Sequence, residues 1–483
     1  MPVYRRLLGD RLTPVSAYHL LTRGDTAEHA FLLESVVGGE HVGRYSFLGV
    51  DPVTVYTARR GAVTLTHAGR TVQAQSADPL ADLRDLLGDI PYHRDPALPG
   101  FTGGLVGYAA YDLVRYYEPG KLGGLDGGPP DDRGLPDALF GLYDASVVFD
   151  HVDKTIRVVS HATWLAGESP HEAYDNARRR VDELVERLSQ PVTLADGEID
   201  TSGVPERAFE ANLSRSEYES AVERGIEYIR AGDIFQFVPS LRLRVRSEAR
   251  PLDVYRALRV INPSPFMVYL RTPGCTLIGN SPEILCRVRE RNVVTRPLAG
   301  TRPRGGTQEE DAALAAELLA DPKERAEHVM LVDLHRNDIG RVASVGSVHI
   351  ADLMSVERYS HVMHIVTNVE GRLAEGKDAV DALRVSLPVG TVSGAPKVRA
   401  MQIIDEVEPT RRGPYGGAVG HIDFSGDMDT CIALRTIVWQ NGTYDVQAGA
   451  GVVADSVPAR EYDECMNKAR AMVQAVQIAE TGL

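Results

Sequence analysis

The residues whose types and spacing best suit chemistry lie near the C-terminus, in the segment 458–469 (PAREYDECMNKA). Proline and acidic residues favour the first turn of a helix, so we predict that a helix begins here. Glu461, Glu464 and Lys468 would then lie along one stripe of that helix. A plain surface ion pair between Glu464 and Lys468 would explain the spacing equally well. The glycine-rich run 447–453 (QAGAGVV) lets a ligand approach the backbone closely, and together the two segments indicate a site for a metal ion and an anion.

A second predicted helix, which contains EHVMLVDLHRND, carries charged residues among its apolar positions. Ion pairs that hold the helix in place are the simpler explanation for Asp333, Arg336 and Asp338. Glu327 differs, because Glu464 offers a second carboxylate from another helix. Two carboxylates and water are what Mg²⁺ takes when a substrate supplies its other oxygens. No Cys/His set has zinc-ligand spacing, so a zinc site is disfavoured.

Histidines and glycines offer further candidate positions. His361 and His364 are three residues apart in a predicted strand, where such residues face opposite sides, so at most one enters a shared site. A histidine that is simply hydrogen-bonded in the core remains an equal alternative. The glycine-rich segments PVGTVSGAPK, RRGPYGGAVG and QAGAGVV could bind carboxylates through backbone N–H groups. None matches a phosphate-binding GxxxxGK[ST] or a strand-following GxGxxG, which disfavours a nucleotide site.

Composition narrows the class of protein. The chain has 483 residues, of which 43% are hydrophobic and 25% charged, as in ordinary globular proteins. A formal net charge of −15 argues against nucleic acid as a partner, although a small anion could bind at a locally basic site or beside a divalent cation. We find no signal peptide and no apolar run of the ~18 residues that would span a membrane. The four cysteines form no CxxC pair, and we expect reduced, packed thiols in a cytoplasmic protein.

Short strands joined by turns, with helices between them, make up most of the pattern. Residues 1 to about 75 read as sheet and residues 120–130 as an exposed loop. Apolar spacing and caps predict helices at 78–87, 172–188, 214–232, 323–342, 377–386 and 398–406. This favours an α+β fold with antiparallel sheets. The polar stretch 189–205 predicts two lobes, 1–200 and 201–483, which would share sheets.

Seven ordered segments carry a more specific pattern. They are SPEIL at 281–285, RPLAGTRPRG at 296–305, ERAEHVMLVDLHRNDIGRV at 324–342, SHVMHIVTNVEG at 360–371, LPVGTVSGAPKVRAMQIIDEVE at 387–408, RRGPYGGAVGHIDF at 411–424 and QAGAGVVADSVPAREYDECMNKA at 447–469. Together they resemble the chorismate-utilising enzymes. The N-terminal part resembles the family through LLES at 32–35, RYSFLG at 44–49 and FTGGLVGYAAYD at 101–112.

The resemblance implies a fold and a site. The fold is α+β with four layers, α/β/β/α, in which two antiparallel sheets pack face to face with helices outside. The substrate is chorismate, which bears one carboxylate on its ring and another on an enolpyruvyl ether. Glu327 and Glu464 would be ligands of the cofactor Mg²⁺, with Glu461 nearby through water. Mg²⁺ would neutralise and orient the ring carboxylate.

The same resemblance implies roles for residues around the substrate. Glu283 would be the acid that protonates the leaving C4 hydroxyl, which requires burial to raise its pKa. His364 and Thr391 would contact the ring on the catalytic side. The other substrate-binding positions are Gln236, Gly390, Tyr415, Arg435, Gly449, Gly451 and Lys468. Of these, Tyr415, Arg435, Gly449 and Lys468 would hold the enolpyruvyl side.

Two positions bear on which family reaction takes place. Gln236 stands where members that add water carry a lysine base, and Ala299 stands where aminodeoxychorismate synthases carry a lysine nucleophile. The resemblance therefore implies that ammonia adds at C2 with loss of the C4 hydroxyl, and that elimination of pyruvate then gives anthranilate. Aminodeoxychorismate synthesis and salicylate or isochorismate synthesis remain alternatives. A tryptophan-binding regulatory subunit without activity is an alternative of another class.

Partners follow from the same comparison. No cysteine lies in a glycine-flanked nucleophile turn, so ammonia would come from a separate glutamine amidotransferase subunit. Feedback inhibition by tryptophan is implied at Glu34, Ser35, Arg44, Asn262, Pro263 and Met267, although these segments could equally be packing between lobes. The chain departs from the family at Phe266 and at Pro239, which predicts an edge or bulge in its strand.

Overall fold

The computed structural model describes residues 1–35, 43–88, 92–164, 167–194, 197–199, 208–359 and 362–482. In chain order the strands are β1 (Pro2–Leu8), β2 (Ala30–Glu34), β3 (Tyr45–Val50), β4 (Thr54–Arg59), β5 (Ala62–His67), β6 (Arg70–Gln75), β7 (Gly104–Ala109), β8 (Ala138–Tyr143), β9 (Ala145–Asp150), β10 (Thr155–His161), β11 (Glu210–Ala211), β12 (Gln236–Phe237), β13 (Ser240–Arg246), β14 (Phe266–Arg271), β15 (Thr276–Ser281), β16 (Ile284–Arg289), β17 (Asn292–Thr295), β18 (Leu298–Pro303), β19 (His349–Arg358), β20 (Val362–Arg372), β21 (Gly394–Ala395), β22 (Ala418–Asp423), β23 (Met428–Ile432), β24 (Thr436–Gln440) and β25 (Thr443–Gly449).

The helices are α1 (Pro14–Leu21), α2 (Pro79–Leu87), α3 (Val114–Tyr117), α4 (Pro119–Leu122), α5 (Pro170–Ser189), α6 (Arg215–Arg230), α7 (Pro251–Ile261), α8 (Gln308–Ala320), α9 (Pro322–Gly340), α10 (Ala379–Ser386), α11 (Gly390–Ser393), α12 (Lys397–Val407) and α13 (Pro458–Gly482), with a 3₁₀ turn at Tyr111–Leu113. No helix within the described ranges is both long and apolar enough to span a bilayer.

Two large sheets dominate the fold. The first has 11 strands in the order β1-β10-β9-β3-β2-β14-β15-β24-β25-β13-β11. The second has 12, in the order β18-β20-β17-β16-β23-β22-β7-β8-β4-β5-β6, with β19 also paired to β20. Neighbouring strands are antiparallel, as in β2 with β14 and β7 with β22. Each sheet is therefore continuous from the first part of the chain into the second.

The sheets pack face to face and carry helices on their outer sides. Between them lies an apolar core that takes Phe31 and Leu270 from one sheet and Val106 and Val419 from the other. Helices α1, α5, α6, α7 and α13 bury their apolar sides against the first sheet. Helices α2, α8, α9 and α10 cover the second sheet. The predicted four-layer α+β fold is confirmed.

Local sequence signals place the helices that matter for the site. Helix α13 begins at Pro458, as the proline and the acidic residues after it predict. Helix α9 begins at Pro322, where the side chain of Asp321 accepts hydrogen bonds from the amides of Lys323 and Glu324. The capping box predicted for Ser214 at the start of α6 is present. These starts fix the rotational position of Glu327 on α9 and of Glu464 on α13.

Two local predictions were wrong. Residues 1 to 75 were predicted as sheet, but Pro14–Leu21 is a helix with a capping box at Thr13. Nearly every residue of α1 is buried, so it lacks the alternation of polar and apolar residues that identifies a surface helix. The loop predicted at 120–130 begins inside the short helix α4. Pro239, at which an edge or bulge of a strand was predicted, lies in the connection between β12 and β13.

The predicted lobes, 1–200 and 201–483, both contribute strands to each large sheet. The boundary itself lies outside the described residues, and the division stays a prediction. The four cysteines, Cys275, Cys286, Cys431 and Cys465, are buried and free, as expected for packed thiols.

Candidate active site

Glu283 lies in the short connection between β15 and β16, and only 5% of it is exposed. Burial raises the pKa of its carboxyl to about 8, against the opposing effects of the Thr391 hydroxyl and the charges of Lys468 and Arg435. The carboxyl therefore carries its proton at neutral pH. Its Oε1 is buried and has no hydrogen-bond partner among the described residues. This is the state that a general acid requires before it donates a proton.

His364, on β20, is held in one tautomer. Its Nδ1 lies 2.9 Å from the carbonyl oxygen of Gly300 and 3.0 Å from Oγ1 of Thr301. A carbonyl oxygen only accepts, so Nδ1 carries the hydrogen and Nε2 keeps its lone pair. Burial lowers the pKa of the imidazole to about 4, and Arg435 and Lys468 act in the same direction. His364 is thus neutral and able to accept a proton at Nε2.

Arg435 lies in the connection between β23 and β24 with φ at +47°, a left-handed conformation that is strained for arginine. Within the part of the chain that the structure describes, its guanidinium makes no hydrogen bond or ion pair. Burial lowers its pKa, whereas the nearby Tyr359 and Glu283 raise it. A partly buried cation without a counter-ion suits the binding of an anionic ligand.

The end of β25 packs closely against Tyr415 and Lys468. The Lys468 Nζ donates to the carbonyl oxygen of Gly449 at 3.1 Å and lies 2.7 Å from Oε1 of Glu464. A Cβ on Gly449 would lie 2.8 Å from the Pro239 carbonyl oxygen and 2.9 Å from the Tyr415 hydroxyl, so only glycine fits. One wall of the site is therefore formed by the Lys468 ammonium, the buried Tyr415 phenol and the Gly449 backbone.

Of the three predicted metal-ligand carboxylates, Glu327 and Glu461 each lie within electrostatic reach of Glu464. Burial raises the pKa of Glu327, and the charges of Glu324 and Glu464 raise it further, while a hydrogen bond from Gln236 lowers it. Burial raises the pKa of Glu461, and Glu464 again acts in the same direction. Like charges held together in this way favour either protonation or a bound cation.

This donor set fits Mg²⁺ better than a transition metal. Among the described residues, no three His, Cys, Asp or Glu side chains converge as a ready metal centre. Mg²⁺ needs fewer protein ligands, because it keeps several waters and takes oxygens from a substrate. Glu327 on α9, which is partly buried, and Glu464 on the exposed side of α13 meet that requirement.

Gln236, on β12, joins this group. Its Nε2 donates to Oε1 of Glu327 at 3.0 Å. A Cβ on Gly451 would lie 2.7 Å from the same Nε2, so the backbone of Gly451 passes directly beside the amide.

Gly390 and Thr391 lie at the start of α11, and the Thr391 hydroxyl lies near enough to the Glu283 carboxyl to lower its pKa. The structure thus brings the predicted catalytic, substrate-binding and metal-binding residues into one region, although their roles stay predictions.

Three buried side-chain oxygens of this region, Glu283 Oε1, Thr391 Oγ1 and Gln236 Oε1, have no hydrogen-bond partner of normal geometry among the described residues. The Thr391 hydroxyl is nevertheless near enough to the Glu283 carboxyl to lower its pKa. Such atoms are uncommon in folded proteins, because leaving one unpaired costs about 1–3 kcal/mol. These oxygens are therefore available to hydrogen-bond a polar ligand.

A cavity of about 370 Å³ lies beside this region, between the sheets. Glu34, Ser35 and Met267 line it, and Glu283 forms part of its wall. Of the other positions predicted for tryptophan, Arg44 is paired with Asp150 at 3.0 Å and does not line the cavity.

Asn262 and Pro263 also do not line the cavity. The Asn262 carbonyl accepts a hydrogen bond from Asn280 and so supports the loop before β14. The structure therefore brings only part of the predicted regulatory group to the cavity. His361, the other histidine considered above, lies outside the described residues.

Tyr359 was missed by the sequence analysis. Its ring packs edge-on against His364 at 5.6 Å between centroids, and it lines the cavity with Glu283. Burial raises the pKa of the Tyr359 phenol, and Tyr359 lies near enough to Arg435 to raise the pKa of its guanidinium. Its position directly before the segment SHVMHIVTNVEG was the signal that could have identified it.

Comparisons with known proteins agree with this site. A sequence model described as chorismate binding enzyme matches residues 28–474. The chain is similar to anthranilate synthase component 1 of Thermus thermophilus, with 50% identity over 100% of this chain and 99% of the relative. It is 48% identical to the protein of that name from Pseudomonas aeruginosa, over 99% of this chain and 96% of the relative.

A solved structure gives the same result. The crystal structure of anthranilate synthase component I from Streptococcus pneumoniae is similar, with a TM-score of 0.79 and 36% identity over 97% of this chain and 99% of that one. A family match of this extent, on a fold and site of this kind, leads to one conclusion: the chain belongs to the chorismate-binding enzymes.

Proposed function

We propose that this chain is the chorismate-converting component of an anthranilate synthase, which forms anthranilate and pyruvate from chorismate and ammonia in the cytoplasm as the first step of tryptophan biosynthesis. The observation that carries the proposal is Glu283, a carboxyl held protonated by burial beside an unpaired arginine and a neutral histidine. The names of relatives 45–50% identical over nearly the whole chain support the same reaction.

Two cations and two carboxylates would orient the substrate. Arg435 would receive the enolpyruvyl carboxylate, and Lys468, whose Nζ lies beside Gly449, would add a second positive charge on that side. Glu327 and Glu464 would hold Mg²⁺ near the ring carboxylate. When bound, Mg²⁺ supplies charge neutralisation that two acidic side chains alone cannot give to an anionic ring.

The first step needs an acid. As ammonia forms a bond to C2, the ring double bonds shift and the C4–O bond breaks. Glu283 donates its proton to the departing hydroxyl, which leaves as water. Thr391 and Arg435 then stabilise the carboxylate that remains on Glu283, since both already favour its charged form.

The second step needs a base. The C2–H and C3–O bonds break and the ring becomes aromatic, which drives the reaction forward, while the side chain leaves as the enolate of pyruvate and takes up a proton to give pyruvate. The neutral His364, whose Nε2 is free to accept, is suited to take the C2 proton.

Ammonia requires a source. The relatives are named as a first component, which supports a second component in this system. We propose that a glutamine amidotransferase subunit supplies ammonia, because none of the four cysteines is exposed as a nucleophile.

The proposed reaction is tested by product formation from chorismate with Mg²⁺. We expect ammonium alone to support anthranilate, detected by fluorescence, and glutamine to do so only when the amidotransferase subunit is added. An amino product that keeps the enolpyruvyl group would indicate an aminodeoxychorismate synthase, and a hydroxylated product would indicate a salicylate or isochorismate synthase. Tryptophan binding without any turnover would indicate a regulatory subunit.

Glu283 gives a pH-dependent prediction. The acid must be protonated, and its pKa is raised to about 8, so kcat at saturating free ammonia should fall as pH rises through about 8. Glu283→Gln should lower kcat by about 10²–10⁴-fold at pH 7 while chorismate affinity stays within a few-fold. Glu290→Gln, on the exposed turn between β16 and β17, is the control and should be fully active. Normal turnover by Glu283→Gln would remove this residue from the mechanism.

The metal site gives a second prediction. Glu464→Gln should weaken Mg²⁺ binding in the presence of chorismate by more than about tenfold and abolish Mg²⁺-dependent turnover, with an unchanged melting temperature. Calorimetry measures the binding directly. Asp463→Asn, next to it on α13 but paired with Arg215 at 3.2 Å, should bind Mg²⁺ normally. Equal Mg²⁺ affinity in all three proteins would exclude Glu464 as a ligand.

We also propose that tryptophan inhibits by binding in the cavity that Glu34, Ser35 and Met267 line. A volume of about 370 Å³ suits a small ligand. Ser35→Leu should fill part of this space, raise the tryptophan concentration for half-inhibition by at least about tenfold, and leave kcat within twofold. Ser216→Leu, on the exposed side of α6, is the matched control. Unchanged inhibition in Ser35→Leu would place the inhibitor elsewhere.

A further inference from the structure

Arg412 is a cation that the fold buries almost completely, with 2% of the residue exposed. Its guanidinium donates to both carboxylate oxygens of Glu408, at 2.9 Å from Nε and 2.5 Å from Nη2. Nη1 donates to the carbonyl oxygen of Val392 and Nη2 to that of Val238, each at 2.6 Å. A two-pronged pair with a carboxylate, together with two bonds to carbonyls, holds the guanidinium in one position.

One of these carbonyls belongs to the segment beside the catalytic acid. Val392 follows Thr391 on α11. The Thr391 hydroxyl lies near enough to the Glu283 carboxyl to lower its pKa. The bond from Arg412 to the Val392 carbonyl therefore fixes the backbone that carries this hydroxyl.

Other contacts of Arg412 lead to the wall formed by Tyr415 and Gly449. Val238 lies in the connection between β12 and β13, directly before Pro239, whose carbonyl oxygen would lie 2.8 Å from a Cβ on Gly449. The guanidinium carbon of Arg412 also lies 5.6 Å from the centre of the Tyr415 ring. At such distances a cation is attracted to an aromatic face. Arg412 therefore supports this wall as well.

Glu408 extends the support to a strand. Its Oε1 accepts hydrogen bonds from the backbone N–H and the hydroxyl of Ser240, both at 2.8 Å. Ser240 is the register partner of Gly449 where β13 pairs with β25. The ion pair of Arg412 with Glu408 thus connects the end of β25 to the segment that carries Thr391.

We propose that Arg412 is a positioning residue, which sets the spacing between the Thr391 segment and the wall formed by Tyr415 and Gly449. This inference rests on the proposed function, in which the substrate ring lies beside Thr391 and its enolpyruvyl group beside Tyr415. Each nitrogen atom of the guanidinium donates to a protein oxygen, so Arg412 acts through these groups and not on the substrate. A displacement of about 1 Å at a reacting centre can cost about 100-fold in rate.

The neighbouring Arg411 offers a matched control. It is 7% exposed and donates to the carbonyl oxygens of Leu125, Gly127 and Pro129 at 2.7, 2.8 and 3.2 Å. These carbonyls belong to the loop that follows α4, and that loop contributes no residue to the site described above. Loss of the bonds of Arg411 should therefore lower stability without moving either wall of the site.

The test compares Arg412→Lys with Arg411→Lys. Lysine keeps the positive charge beside Glu408, but one ammonium cannot reproduce the fork that also binds Val392 and Val238. A double variant, Arg412→Met with Glu408→Gln, removes both charges and so leaves no unpaired buried carboxylate. The dissociation constant of chorismate with Mg²⁺ is measured by calorimetry, kcat and KM with ammonium over a range of pH, and the melting temperature for each protein.

For Arg412→Lys and the double variant we expect the dissociation constant and the KM of chorismate to rise by about tenfold or more. The fall of kcat with rising pH should move to higher pH, because Thr391 would no longer lower the pKa of Glu283. Lys468 and Arg435, whose charges also act on Glu283, are unaltered. Arg411→Lys should have a lower melting temperature, a KM for chorismate within about twofold and an unchanged pH profile.

Three outcomes would overturn the inference. In the first, both Arg412 variants keep chorismate affinity and pH profile within about twofold of the unaltered chain. In the second, their losses equal those of Arg411→Lys. In the third, neither Arg412 variant folds although Arg411→Lys does, which would make Arg412 a support of the whole chain. If the unaltered chain forms no anthranilate from ammonium, the proposed function fails, and the calorimetric comparison still tests the role of Arg412.

Discussion

The burial of ionisable side chains away from water sets the protonation states at this site. Burial keeps Glu283 protonated and His364 neutral, and it lowers the pKa of Arg435, which has no ion-pair partner among the described residues. In water the same three side chains would be a carboxylate, a partly charged imidazole and a hydrated cation, with little difference from surface residues. The four-layer fold creates the dry environment, and the chemistry follows from it.

That environment has to be assembled from distant parts of the chain. Glu283 comes from a strand connection, His364 from β20, Glu327 from α9 and Lys468 from α13. The hydrogen bond between Gln236 and Glu327 joins residues 91 positions apart. Such contacts depend on how helices pack against the sheets, so they form only when most of the fold is complete.

Local signals in the sequence anticipated several features correctly. Proline and acidic residues located the start of α13, and spacing anticipated the ion pair of Glu464 with Lys468, now seen at 2.7 Å. The grouping of the site residues came from resemblance to a family, because no local pattern links Glu283 to His364. The buried helix α1 and the contribution of Tyr359 escaped prediction, since both depend on what surrounds them in the folded chain.

The unpartnered oxygens of Glu283, Thr391 and Gln236 also cannot be predicted from a sequence, because a missing hydrogen bond can be recognised only once the neighbouring atoms are known.

The pairing of β2 with β14 and of β7 with β22 has a consequence for how the chain can be divided. A segment that was merely fused to the rest of the chain could be deleted by a single truncation. Here deletion of β2 and β7 would strip two interior strands of their partners and expose unpaired strand edges, so the first part of the chain cannot be removed without disrupting the sheets that position the site.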